Sequence, residues 1–180
     1  LPLGAEADGE WMDLEFTQKI DPAEALQRLQ AQMPAGFTLL QVEPVAVSAD
    51  SLSQELVAAR WQLQLRPGGI CAQSTVLPLA AWQAAAAQLL NSSSWMWHDS
   101  DKKGRPRQRD CRPFLQNLSV EGIEGMPAAV ELCYEALVDS AGRSLRPEQL
   151  QHWFSQQLDA ELEMVSLRRE SLQLRQSPKA

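Results

Sequence analysis

The sequence predicts an α+β fold: an antiparallel-rich sheet with helices on one face. Three observations carry this. The extended segments alternate apolar with polar residues, as half-buried antiparallel strands do, instead of running on as continuous apolar stretches. Helical stripes opened by proline fall between them. The order strand–helix–strand recurs along the chain with short links, and a pair of ferredoxin-like βαβ units side by side accommodates it. A doubly wound parallel sheet is the lesser alternative.

Each element has a local cause. Trp11 to Thr17 alternates, with Met12, Leu14 and Phe16 on one side, which predicts a strand. Asp21-Pro22-Ala23-Glu24 carries a cap, a first-turn proline and an early glutamate, so a helix follows, with Leu26, Leu29 and Met33 on its stripe. Pro34 and Gly36 end it, and 37–47 reads as a second strand. Residues 51–55 suit a single helical turn. Val57 to Leu65 is the clearest strand, with Val57, Ala59, Trp61, Leu63 and Leu65 inward. Pro67-Gly68-Gly69 turns the chain, and 72–77 reads as a short extended link. Pro78 opens a second helix with Leu79, Trp82, Ala86 and Leu89 or Leu90 inward, stopped by Asn91-Ser92-Ser93. Residues 94–98 alternate around Trp95 and Trp97. Residues 99–106 form a polar turn, and 109–118 is extended with a break at Pro113. A further turn spans 122–127. Val130, Leu132, Tyr134, Ala136 and Val138 form the inner face of the next strand. Ser140 to Gly142 turns, Pro147-Glu148 opens a third helix bearing Leu150, Trp153, Phe154 and Leu158, and 161–167 is a last strand.

At 180 residues, the chain suits one domain over 1–172 with a frayed tail at 173–180. A hydrophobic content of 44% excludes general disorder. No apolar run approaches the roughly 20 residues of a membrane-spanning helix. A net charge of −7 argues against a chain that coats nucleic acid with its whole surface. Cys71, Cys111 and Cys133 are odd in number and widely spaced, which disfavours a disulfide framework or a zinc site and fits a reducing cytoplasm. The start at Leu1-Pro2-Leu3-Gly4, with neither initiator Met nor signal peptide, reads as a piece of a longer polypeptide.

One segment departs from the acidic average. Lys102, Lys103, Arg105, Arg107, Arg109 and Arg112 fall within eleven positions. With Asp99, Asp101 and Asp110 among them, 99–112 is net +3 in a chain of −7. Arginine forks suit phosphate, so an anion site for phosphate, RNA or an acidic partner is one reading. The other is a solvated hairpin whose charges keep a strand edge soluble. On a strand, Asp110 and Arg112 would share a face and meet one ligand or each other, with Cys111 turned to the core. Trp97 beside these cations suits base stacking, or simply a core strand shared with Trp95. His98 lacks a nearby second ligand, and His152 falls on the surface of the third helix. The hydrolase, P-loop, dinucleotide and zincin motifs are absent, and no acid–base pair stands out.

Several short motifs together resemble a known family. Leu1-Pro2-Leu3-Gly4, Glu10 to Leu14, Asp21-Pro22 and Ser51-Leu52-Ser53 are similar to the radical-SAM-linked domain of unknown function. So are Lys102-Lys103-Gly104 followed by Asp110-Cys111-Arg112-Pro113, Leu145-Arg146-Pro147, and Arg168 or Arg169. The resemblance implies a radical SAM protein as partner, fused or separate, and an N-terminal portion of the family domain missing here. It also points toward RNA, through neighbouring RNA-processing and ribosomal genes. The iron–sulfur cluster and S-adenosylmethionine are implied for the linked radical SAM domain alone, because this chain has no CxxxCxxC.

The expectation is a cytoplasmic, non-catalytic accessory module, with no cofactor of its own, that binds RNA or another phosphate-bearing substrate. Its contacts would be Lys102, Lys103, Arg105, Arg107, Arg109, Asp110, Arg112 and Trp97. The alternatives are a catalytic fragment with a small-molecule site around Asp110, Arg112, His98 and Cys111, and a protein–protein adaptor.

Overall fold

A computed structural model describes residues 4–68, 76–101 and 103–175. The expected link at 72–77 therefore lies mostly outside the described residues, as do Leu1 to Leu3, Gly69, Cys71, Lys102 and the end of the expected tail. The chain groups into two compact units: residues 1–11 with 53–180, and residues 12–52.

The larger unit is built on a sheet of five strands, which run across it as Glu6–Ala7, Leu162–Leu174, Leu56–Pro67, Met126–Leu137 and Leu115–Ile123. These are β1 (Glu6–Ala7), β2 (Leu56–Pro67), β5 (Leu115–Ile123), β6 (Met126–Leu137) and β7 (Leu162–Leu174). The long pairings are antiparallel, and the two-residue β1 runs parallel to β7. Two helices complete the pattern, α3 (Leu79–Asn91) and α4 (Pro147–Gln157). Units β2-α3-β5 and β6-α4-β7 interleave, so β7-β2-β6-β5 is the order of a ferredoxin-like βαββαβ sheet. The expected α+β class and antiparallel-rich sheet are observed.

Register explains the burial. Trp61 lies opposite Tyr134, and Leu63 opposite both Leu132 and Leu167, so alternate residues on neighbouring strands share the inner face. Onto it α3 lays Trp82, Ala86 and Leu89, and α4 lays Leu150 and Phe154, all in one buried cluster. The Trp82 and Phe154 rings meet at 5.7 Å. Leu79, expected inward, is exposed at the first turn of α3. Arg60, Gln62 and Gln64 occupy the other parity of β2 and are partly or fully exposed.

The two arginines near the end fasten β1. Arg168 pairs with Glu6 at 2.8 Å, while Arg169 pairs with Glu10 and lies 5.2 Å from the Trp61 ring centre. β7 continues to Leu174 and the amide of Arg175 donates to Glu55, so the ladder passes the expected strand end at 167 and enters the expected tail.

A backbone strain marks the end of α4. Asp159 sits at φ 47°, with Ala160 N–H donating to Ser155 and Leu158 N–H to Phe154. This is a left-handed helix stop, which glycine occupies without a Cβ penalty. Asp159→Gly is expected to raise the unfolding free energy by about 0.5–1 kcal/mol, despite the looser unfolded chain. Urea denaturation followed by circular dichroism checks this, and an unchanged or lower midpoint argues against strain at this residue.

The smaller unit holds α1 (Pro22–Gln30) and ends at Leu52, the first residue of the single turn α2 (Leu52–Glu55). Asp21 caps α1 as expected, its Oδ1 accepting from the amides of Ala23 and Glu24 at 2.9 and 3.3 Å. The strands expected at 11–17 and 37–47 do not form. An alternating segment becomes a strand only by pairing, and these find no ladder partner among the described residues. Met12, Phe16, Phe37, Leu40 and Val47 are accordingly exposed. Side chains do the tying here: Gln30 bridges the Phe37 carbonyl and Leu39 amide, and Asp13 accepts from the Leu52 amide at 2.8 Å.

Candidate functional site

Between α3 and β5 the chain makes a separate two-stranded ribbon, β3 (Met96–Ser100) with β4 (Pro106–Asp110). It carries the basic cluster. Register sets which side chains are neighbours: Trp97 opposes Arg109, Asp99 opposes Arg107, and His98 opposes Gln108. Trp97, Asp99, Arg107 and Arg109 thus share one face, while Met96, His98, Ser100, Pro106 and Gln108 take the other.

The charged face has internal partners. The Arg107 fork donates Nε and Nη2 to the two Asp99 oxygens, both at 3.1 Å. Arg105 donates Nε to Asp101 Oδ2 at 2.7 Å within the connecting turn. The backbone and side-chain hydrogen bonds from Arg105 hold the Asp101 carboxyl below its ordinary value. Lys103 is exposed, and among the described residues no ion pair engages it. Lys102 lies outside the described residues. Arg109 is half-buried: it donates to Gln149 Oε1 at 3.2 Å, and its guanidinium carbon lies 5.7 Å from the Phe114 ring centre.

The base of the ribbon is aromatic. Trp95 is buried and meets Trp153 edge-on at 5.5 Å. Trp97 is half-buried and meets the exposed His152 edge-on at 5.2 Å. Of the two readings of the tryptophan pair, Trp95 takes the core role and Trp97 reaches the surface.

Asp110 and Arg112 do not share a strand face. The strand ends at Asp110, and Arg112–Phe114 is a 3-10 turn started by Pro113, which cannot continue a ladder. Asp110 Oδ1 accepts the backbone amides of Trp95 and Arg112, at 2.8 and 3.0 Å. Burial pushes the Asp110 carboxyl up, but these amides, the Ser94 side chain and the Arg112 charge together bring it below its ordinary value. The Arg112 guanidinium donates to the carbonyls of Leu115 and Leu90, each at 2.7 Å. Cys111 is fully buried, as expected, and burial raises its thiol above the ordinary value, against the pull of Arg109.

The structure therefore collects Trp97, Arg107 and Arg109 on one ribbon face, with Lys103 and Arg105 at the tip. It withdraws Asp110, Cys111 and Arg112 into the frame and turns His98 to the opposite face. It adds two residues from α4. His152 packs on Trp97, and the buried Gln149 accepts from both Arg109 and the Arg146 amide. A glutamine in the first turn of a proline-started helix signals a cap, but its second partner, 40 positions earlier, has no local signature.

Among the described residues no three His, Cys, Asp or Glu side chains stand within reach of one metal ion. An open hollow of about 350 Å³ lies beside His152, lined by Ser155, Gln156 and Asp159. Another, of about 520 Å³ and largely apolar, lies within residues 12–52 between Phe16, Ile20 and α1.

A family model described as an uncharacterized protein conserved in bacteria, DUF2344, matches residues 1–147. The chain belongs to the DUF2344 family. No curated protein matches it. In this DUF2344 chain the matched region contains the whole ribbon, the Arg112 turn and the strands β2, β5 and β6, and ends on the first residue of α4. Gln149 and His152 lie beyond it.

Proposed function

We propose that this DUF2344 chain is a non-catalytic accessory module of a radical SAM enzyme, fused or separate, and that it holds RNA on the β3–β4 ribbon. In this reading the iron–sulfur cluster and S-adenosylmethionine belong to the radical SAM partner, and the complex works in the cytoplasm. The observation that carries it is the ribbon itself. Outside the main sheet it presents Lys103 and Arg105 exposed at its tip and Arg107 exposed on the face that also carries Trp97, which meets His152 at the ribbon's base. Cations to track a phosphate backbone, next to rings on which a base can stack, are what a single-stranded nucleic acid requires.

The two ion pairs of the ribbon argue for a merely solvated hairpin, and their strength decides how far. Exposed pairs contribute about 0–1 kcal/mol. A phosphate can therefore replace a carboxylate on Arg107 at small cost, and the segment keeps its net +3. The catalytic alternative gains no support from the geometry. Asp110 and Arg112 are engaged by the backbone, Cys111 is buried, and His98 faces Gln108.

The test is binding of a cytosolic RNA pool at two salt concentrations, for the native chain and for a variant with Lys102, Lys103, Arg105 and Arg107 all changed to alanine. Each lost phosphate contact flattens the log–log salt dependence by about 0.7, so the loss of two to four contacts flattens it by roughly 1.5 to 3. Low-salt affinity is expected to fall about 10- to 100-fold. Binding that is salt-insensitive and equal in both proteins would remove the ribbon from the function.

A further inference from the structure

The turn that closes the basic ribbon occurs twice in this chain. Asp101-Lys102-Lys103-Gly104-Arg105 joins β3 to β4, and Asp139-Ser140-Ala141-Gly142-Arg143 follows β6. Their hydrogen bonds correspond one to one. Asp101 Oδ1 accepts the amides of Lys103 and Arg105 at 2.8 and 3.0 Å, and Asp139 Oδ1 accepts those of Ala141 and Arg143 at 3.0 and 2.8 Å. In both, the arginine Nε donates to the second carboxylate oxygen at 2.7 Å. In both, the aspartate amide donates to the arginine carbonyl, and the glycine amide to the aspartate carbonyl. The two glycines take φ +76° and +70°, the left-handed conformation that suits glycine.

The second turn is an internal control on the first. It closes with the same geometry while carrying alanine where the first carries Lys103. The side chains of aspartate and arginine and the backbone of glycine therefore close the turn, and the third position supplies only its backbone amide, which alanine gives as well as lysine. Arg105 is a builder, bound by its own aspartate as Arg143 is. Lys103 is exposed, and no ion pair engages it among the described residues. A four-carbon cation at the tip of a ribbon, with no ion pair among the described residues, is placed to meet an external anion.

We infer that the basic ribbon divides its labour: Asp101, Gly104 and Arg105 form the turn, and among the described residues of its tip Lys103 is the one that contacts the RNA phosphate. This rests on the RNA-binding reading and sharpens it to one side chain.

The experiment compares three variants of the full chain in the same two-salt RNA titration, with thermal unfolding measured in parallel. Lys103→Ala reproduces the residue of the second turn. It should leave the melting temperature unchanged within about 1–2 °C, weaken low-salt RNA binding about three- to tenfold, and flatten the salt slope by about 0.7. Arg105→Ala should do the reverse, lowering the melting temperature while holding RNA affinity within about twofold. The double change Lys103→Ala with Ala141→Lys keeps the net charge and moves the lysine to the other turn; it should bind as weakly as Lys103→Ala alone. If the double variant regains native affinity, overall charge is responsible and the assignment is wrong. Unchanged RNA binding by Lys103→Ala, or an equal loss with Arg105→Ala, also overturns it while leaving the RNA reading standing. If the native chain itself shows no salt-dependent RNA binding, both fall together.

Discussion

Arg112→Ala is expected to lower the unfolding free energy by about 3 kcal/mol. The half-buried guanidinium donates to the carbonyls of Leu90 and Leu115, both at 2.7 Å. Leu90 belongs to the last turn of α3, where carbonyls have no partner within the helix and a cation is favoured by the helix dipole. Leu115 opens β5. One side chain thus joins the end of a helix to the start of the next sheet strand across the ribbon insertion. Removing it takes the donor from two part-buried carbonyls, at about 1–3 kcal/mol each. Lysine cannot fork to both carbonyls, so Arg112→Lys should recover less than half of the loss. Urea unfolding of the three proteins decides this. A cost below about 1 kcal/mol, or full recovery by lysine, would mean that the guanidinium bridge does not hold the frame.

Asp110→Ala is expected to cost about 2 kcal/mol at neutral pH and to change how stability depends on acid. Its carboxylate accepts the amides of Trp95 and Arg112, and so ties the two ends of the ribbon together at its base. Burial opposes ionisation there, yet the amide donors and the Arg112 charge outweigh it, so the folded-state pKa lies below the ordinary 3.8. A lowered folded pKa makes the contribution fully present above the unfolded value and lost as pH falls through the folded one. The gap between native and Asp110→Ala stabilities should therefore hold from pH 7 to about 5 and narrow below about 4. Asp101 and Asp139, lowered by their arginines, leave the variant with an acid sensitivity of the same sign. Asp110→Asn keeps an acceptor and should fall between the two. A native–variant gap that stays constant down to pH 2 would contradict the role assigned to the charge.

These two residues make up the Asp-x-Arg-Pro motif, and sequence alone could not separate a ligand pair from a structural pair. The distinction lies in what surrounds them. Asp110 reaches back 15 positions to Trp95, and Arg112 reaches back 22 to Leu90. Neither partner is local, and a backbone amide or carbonyl carries no side-chain signature at all. Strand alternation placed them on one face, but Pro113 turned the chain after Asp110 and voided that geometry.

The elements that sequence reading recovered are those whose cause is local. Asp21-Pro22 carries its own cap, Val57 to Leu65 its own period, and Pro147-Glu148 its own helix start. The segments it misread, 11–17 and 37–47, have the period of strands with no strand beside them. Pairing is a tertiary event that no single segment encodes.

The candidate site divides in the same way. The basic cluster, its excess charge and the neighbouring Trp97 were legible, because composition over fourteen residues is a local property. His152 and Gln149 were not, because they approach the ribbon from a helix whose partners lie 55 and 40 positions earlier, at Trp97 and Arg109. By itself the sequence determined the α+β class, the capped helices and the place where positive charge gathers. The tertiary structure alone decided which of those cations are bound by their own carboxylates and carbonyls and which, among the described residues, have no ion pair. A side chain's freedom depends on what lies across space from it, and chain order does not record that distance.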